Sequence, residues 1–121
     1  MRCKKIYFLS ILFLFASLTQ AQKPIPAADQ TNQYFPILKE KKLGIVANQT
    51  SIIGTVHLVD SLLHAGFTIQ KVFAPEHGFR GQEEAGAEIK DGIDTKTGLK
   101  LISLHGKYKK PQTEDLSDID L

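Results

Sequence analysis

Three short apolar runs, each ending abruptly in polar side chains, constrain this chain more than any other feature. Lys42 to Ala47 (KLGIVA), Phe67 to Ala74 (FTIQKVFA) and Leu99 to Leu104 (LKLISL) have strand length, and the second is rich in β-branched and aromatic residues. Between the first two lies one clear amphipathic helix. Leu58, Val59, Leu62 and Leu63 share a face at three- and four-residue spacing, with Thr55 placed to cap the start and Gly66 the end. Strand, helix, strand, loop, strand is the order of an α/β domain with a parallel sheet and right-handed crossovers. Such a sheet needs cover on both faces, and one helix cannot cover three strands. The chain therefore reads as an incomplete α/β fold, the front part of a larger domain.

The flanking segments fit this reading. Arg2, Lys4 and Lys5 form a basic start, Ile6 to Leu18 is almost wholly apolar, and Thr19-Gln20-Ala21 supplies small residues for cleavage. Residues 1–21 are thus expected to be a secretory signal peptide, since an apolar run of 13 residues is short of the roughly 20 that span a membrane. After its removal no stable membrane anchor is expected, and the mature chain is placed outside the cell or in the periplasm. Residues 22–33 read as a linker, and residues 34–121 as the domain itself. A first helix is expected near Gln33 to Lys41, beginning late so that Pro36 falls in its first turn. Residues 78–98 hold five of the nine glycines and read as a long loop; Thr113 to Leu116 opens a short helix; Ile119 to Leu121 resembles the start of a fourth strand.

Charge and cysteine usage exclude several partners. The expected leader holds three of the 15 Lys and Arg residues and none of the 13 Asp and Glu, leaving 12 basic against 13 acidic groups. No basic arm remains for a phosphate backbone beyond Lys107, Lys109 and Lys110, which read as a solvated loop, so nucleic acid is not an expected partner. Cys3 leaves with the leader, and with it any thiol nucleophile or thiolate metal ligand. The turn after the first run, Asn-Gln-Thr-Ser-Ile-Ile-Gly, has neither glycine-rich nucleotide signature, and no cofactor is expected.

Ligands of open α/β sheets sit beyond the carboxyl ends of the strands, where this chain places its chemistry. The first run ends at Asn48, Gln49 and Thr50, the second at Glu76 and His77, the third at Ser103 and His105. Pro75 fixes the backbone before Glu76, and Gly78 and Gly81 let the loop bend, which suits a carboxyl held toward a pocket as a general acid. Bland alternatives stand beside this: a solvated Glu76, a turn-capping His77, an exposed Arg80. His57 and His64 lie on the helix and read as structural. Glu83, Glu84, Glu88, Asp91 and Asp94 form an acidic loop expected to face solvent. Glu76, His77 and His105 have no recognised metal spacing, and no metal is expected.

The stretches GIVANQTS (44–51), VFAPEHGFRG (72–81), TGLKLISLHG (97–106) and KKPQTEDL (109–116) resemble the N-terminal part of the NamZ-type exo-β-N-acetylmuramidase family of glycoside hydrolases. The resemblance covers residue 34 onward. It implies a Rossmann-like parallel sheet and removal of terminal N-acetylmuramic acid from the non-reducing end of peptidoglycan fragments. It also implies Glu76 as the catalytic carboxylate, with Asn48, His77 and Arg80 lining the sugar site. Gln49, Thr50 and His105 join this set from the rim argument, and the family often has Tyr where this chain has His105. The contrasting reading is a cell-wall sugar-binding module without catalysis.

A partial sheet exposes an edge and an uncovered face. Residues 22–121 expressed alone are therefore expected to be aggregated or molten, and a thermal scan followed by circular dichroism is expected to lack a sharp cooperative transition.

Overall fold

A computed structural model of the protein describes residues 23–81, 84, 87 and 89–121. The expected leader, and Glu83 and Glu88 of the acidic loop, lie outside the described residues. A 3-10 turn at Ala27–Asp29 precedes helix α1 (Thr31–Leu38) and strand β1 (Lys42–Val46). A small hairpin, β2 (Ile52–Ile53) and β3 (Val56–His57), leads into helix α2 (Leu58–His64) and strand β4 (Thr68–Ala74). Strands β5 (Gly92–Ile93) and β6 (Lys100–Ser103) and a 3-10 turn at Thr113–Leu116 follow. Among the described residues no helix is long and apolar enough to cross a membrane.

The main sheet has the order β1-β4-β6-β5. As expected, β1, β4 and β6 are parallel, whereas β5 pairs antiparallel with the outer edge of β6. The alternation of side chains along β4 divides the interior between two faces. Val72 and Ala74 join Leu43, Ala47 and Phe79 on the side where α2 lays Val59 and Leu62, both fully buried. Each such aliphatic side chain contributes roughly 1.5–3 kcal/mol by leaving water. Lys71 and Phe73 face the other way. There the Lys71 Nζ meets Asp118 Oδ1 at 2.6 Å, a buried ammonium with its countercharge in place.

Several expectations are corrected. Helix α1 begins at Thr31, so Pro36 lies inside it and not in its first turn. The missing N–H costs the helix a bond to the carbonyl four residues back, and the helix ends at Leu38. The cap of α2 is His57, not Thr55. The His57 Nδ1 accepts from the Val59 N–H at 3.3 Å, while its Nε2 lies 2.9 Å from the Asn48 carbonyl. A carbonyl can only accept and a backbone N–H only donate, so these contacts place the ring proton on Nε2. Gly66, at φ +86°, sits one residue past the C-cap Ala65, where a left-handed residue closes a helix. Asp94, expected in solvent, is 5% exposed.

The chain end does meet the sheet. The Asp120 N–H donates to the Lys42 carbonyl at 2.8 Å, and the Gly44 N–H donates to the Leu121 carbonyl at 2.9 Å. The Lys42 N–H also donates to Asp120 Oδ2 at 2.8 Å. These bonds occupy the edge of β1 opposite β4, because the donor and acceptor of one strand residue point to the same side. The connection from β6 thus returns past β4 to the far side of β1. It arrives on the face of Lys71 and Phe73, opposite α2. Residues 120–121 are not a strand of the sheet, but they put chain on the edge of β1 away from β4 and on the face opposite α2.

A Cβ on Gly44 would lie 2.6 Å from Ile119 Cδ1 and 3.1 Å from Phe73 Cε2. Gly44→Ala is accordingly expected to destabilise the fold by about 1–3 kcal/mol. In urea titrations of the full-length protein the double variant Gly44→Ala/Ile119→Ala is expected to lose clearly less than the sum of the two single losses.

Candidate functional site

Three parallel strands finish side by side. Val46 is in register with Phe73, and Ala74 with Ser103. The ladder continues for one bond beyond each pair: Ala47 N–H to the Phe73 carbonyl at 3.1 Å, and Leu104 N–H to the Ala74 carbonyl at 2.8 Å. The chain therefore leaves the sheet at Asn48, Pro75 and His105 along one rim. This is the convergence that the sequence implies.

At the end of β1, the Asn48 side chain folds onto its own turn. Its Oδ1 accepts from the Thr50 N–H at 3.0 Å and the Thr50 hydroxyl at 2.7 Å, and the Asn48 N–H lies 3.2 Å from the Ser51 hydroxyl. Such side-chain mimicry of a backbone turn is what Asn does best. Asn48 and Thr50 therefore shape this corner, while Gln49 reaches to the neighbouring loop. A Cβ on Gly81 would stand 2.8 Å from Gln49 Cγ, so the turn after β1 and the loop after β4 touch.

That loop is held in an unusual backbone form. Gly78 N–H donates to the Pro75 carbonyl at 3.1 Å, and His77, Gly78 and Gly81 all have φ near +70°. Glycine adopts this region freely; His77 does so at a cost of order 1 kcal/mol. Glu76 is exposed at the tip of the turn and His77 is half-buried beside it. Phe79 plunges inward, 3% exposed, with its ring edge-on to His57 at 4.7 Å. Beyond β6, the His105 N–H donates to the Ser103 hydroxyl at 3.1 Å and its carbonyl accepts from the Ile89 N–H at 3.1 Å.

Beside Phe79 lies a cavity of about 330 Å³, bordered by Ala74, Arg80, Ile89, Asp94 and Lys96; Glu76 is not among its lining residues. Arg80 is neither exposed nor alone: it is paired with Asp60 and Asp94, and Lys96 adds a second cation on Asp60. The hydrogen bonds from Arg80 pull the Asp60 carboxyl down to about 2, overcoming the opposing effect of burial, and lower that of Asp94 in the same way. The reciprocal bonds from Asp94 and Asp60 raise Arg80. Two carboxylates and two cations leave the cluster electrically balanced. Sequence reading missed Asp60 and the burial of Asp94, although the string Asp94-Thr95-Lys96-Thr97-Gly98 carries a turn signature. Asp94 indeed accepts from the Thr97 N–H at 3.1 Å and its hydroxyl at 2.6 Å. Among the described residues no group of three His, Cys, Asp or Glu side chains is arranged to hold a metal ion.

Residues 43–121 match the family model described as "Exo-beta-N-acetylmuramidase NamZ, N-terminal". The chain is 32% identical to the peptidoglycan beta-N-acetylmuramidase NamZ of Bacillus subtilis (strain 168) over a 130-position alignment, covering 94% of this chain and 31% of that protein. It is also similar to two solved DUF1343 family proteins of Bacteroides fragilis NCTC 9343. One is 41% identical with a TM-score of 0.62, over 77% of this chain and 22% of that one. The other is 34% identical with a TM-score of 0.63, over 74% and 22% respectively. The chain thus spans less than a third of the length of these relatives.

Because the Asp60 carboxyl is lowered from 3.8 to about 2 on folding, its contribution to stability is complete above about pH 4 and is lost as pH falls through about 2. Urea titrations of the full-length protein across that window are expected to show the wild type losing on the order of 2 kcal/mol more than Asp60→Asn, whose amide has no such proton to gain.

Proposed function

The chain belongs to the exo-β-N-acetylmuramidase NamZ N-terminal family, and from that membership we propose that it supplies the acid-bearing rim of an enzyme that releases N-acetylmuramic acid from the non-reducing end of peptidoglycan fragments. In this reading the expected leader carries the protein across the inner membrane, to a periplasmic or extracellular place of action. The curated relative named as a peptidoglycan beta-N-acetylmuramidase supports the substrate class. The position of Glu76 supports its role.

Cleavage of a glycosidic bond needs a proton on the departing oxygen as the anomeric carbon gathers positive charge. Glu76 is the acidic side chain borne directly at the carboxyl end of the central strand β4, one residue past a proline and on a turn whose backbone is constrained. The same rim carries His77, His105 and the Asn48–Gln49–Thr50 corner, whose amides, hydroxyl and rings suit the hydroxyls and acetamido group of an amino sugar. The corner also lies beyond the carboxyl end of β1, where open α/β sheets usually hold their ligands. In this mechanism Glu76 gives its proton to the bridging oxygen, and a second group meets the anomeric carbon, either another carboxyl or the acetamido oxygen of the substrate.

The carrying observation is the delivery of Glu76, on a bent and proline-led turn, to the rim shared with Asn48 and His105. The test is Glu76→Gln in the full-length protein with a chromogenic N-acetylmuramic acid glycoside. Turnover is expected to fall by about 10²–10⁴-fold, with binding of muropeptide retained. Unchanged hydrolysis would remove Glu76 from the reaction.

A further inference from the structure

The guanidinium of Arg80 is engaged from two sides. Nε and Nη2 donate to the two oxygens of Asp94 at 3.1 and 2.8 Å, and Nη1 and Nη2 donate to those of Asp60 at 3.0 and 2.9 Å. These bonds take four of the five N–H groups that an arginine carries. Its face lies 4.4 Å from the centre of the Phe79 ring. Both carboxylates are themselves fixed, Asp94 by Thr97 and Asp60 by Lys96 at 2.7 Å. A cation so committed has little left to offer a sugar, but it can anchor the backbone that bears it.

That backbone needs an anchor. Between Pro75 and Gly81 three residues are left-handed, and among the described residues the bond from the Gly78 N–H to Pro75 is the main-chain hydrogen bond that closes the turn. Strained turns persist only where their surroundings over-determine them. The sheet holds the near end at Ala74, and the far end is held by the buried Phe79 and by Arg80.

We propose that Asp60 and Asp94 are positioning residues for the reaction: by gripping Arg80 from both sides they fix the turn that presents Glu76 and His77. Asp60 arrives from α2 and Asp94 from the segment after β5, so the grip ties the turn to one element that precedes β4 in the chain and one that follows it. The proposal rests on the reading of Glu76 as the proton donor. Forked pairing is the part of the arrangement that lysine cannot reproduce, since its ammonium is a point donor.

Asp60→Asn, Asp94→Asn, Arg80→Lys and Glu76→Gln are compared in the full-length protein, by steady-state kinetics and by hydrogen exchange of the peptide spanning residues 75–81. Both aspartate variants and Arg80→Lys are expected to lose about tenfold or more in kcat, with KM within about threefold, and to exchange faster over 75–81 than the wild type. Should Asp94→Asn fail to fold, Asp60→Asn decides alone, because its carboxylate lies at the wetter side of the grip. Wild-type kcat and wild-type exchange in Asp60→Asn would overturn the proposal. So would a rise in KM confined to Arg80→Lys, which would make Arg80 a substrate contact. Full activity in Glu76→Gln would instead remove the proton-donor reading, and the exchange rates would still report whether the grip holds the turn.

Discussion

Strand β4 is the constraint on which the rest depends. Its neighbours on both sides are parallel strands, and its side chains alternate between two covered faces. Val72 and Ala74 set where α2 packs, while Lys71 and Phe73 set where the returning chain at Asp118 and Ile119 lies. A shift of one residue would exchange those faces and put the ammonium of Lys71 against Val59 and Leu62. The same register decides that the strand ends at Ala74, and so that Pro75 and Glu76 emerge level with Asn48 and His105. Packing and chemistry are thereby specified by one alternation.

Past the rim, order is maintained by polar contacts more than by apolar area. Asn48 closes its own turn, His57 bridges the end of β1 to the start of α2, and Arg80 binds two carboxylates. Each of these groups has matched partners, and among the described residues no buried side-chain donor or acceptor lacks one. Pairing of this kind fixes the geometry of the corner, and removing one partner would leave a largely buried charge uncompensated.

The three parallel strands, α2 and its closing glycine were legible because each is announced by local pattern: an apolar run, a four-residue spacing, a φ that glycine favours. The rim was legible for the same reason, since strand ends of adjacent parallel strands must lie together. Strands β2, β3 and β5, of two residues each, carry no period to read. The cap of α2 was misread because imidazole at His57 takes the place where a hydroxyl or carboxylate is usual. The partners of Arg80 lie 14 and 20 residues away, one on a helix and one in a charged loop, and nothing local links them to it. Asp94 stood among four other acidic residues, a composition that signals solvent, yet it alone of the described ones is buried.

The two outer strands of the sheet differ in a way that gives the molecule a direction. Strand β5 runs against β6 and is only two residues long, a poor template for further pairing, whereas the free side of β1 has already accepted Asp120 and Leu121. During synthesis β1, β4 and β6 can pair in the order in which they leave the ribosome, each closing onto the one before. Asp120 and Leu121, made last, turn back to the oldest member of the set. Order of synthesis and order in space agree for β1, β4 and β6 and part company at both borders, where β5, made before β6, lies outside it and the last residues lie against the first strand.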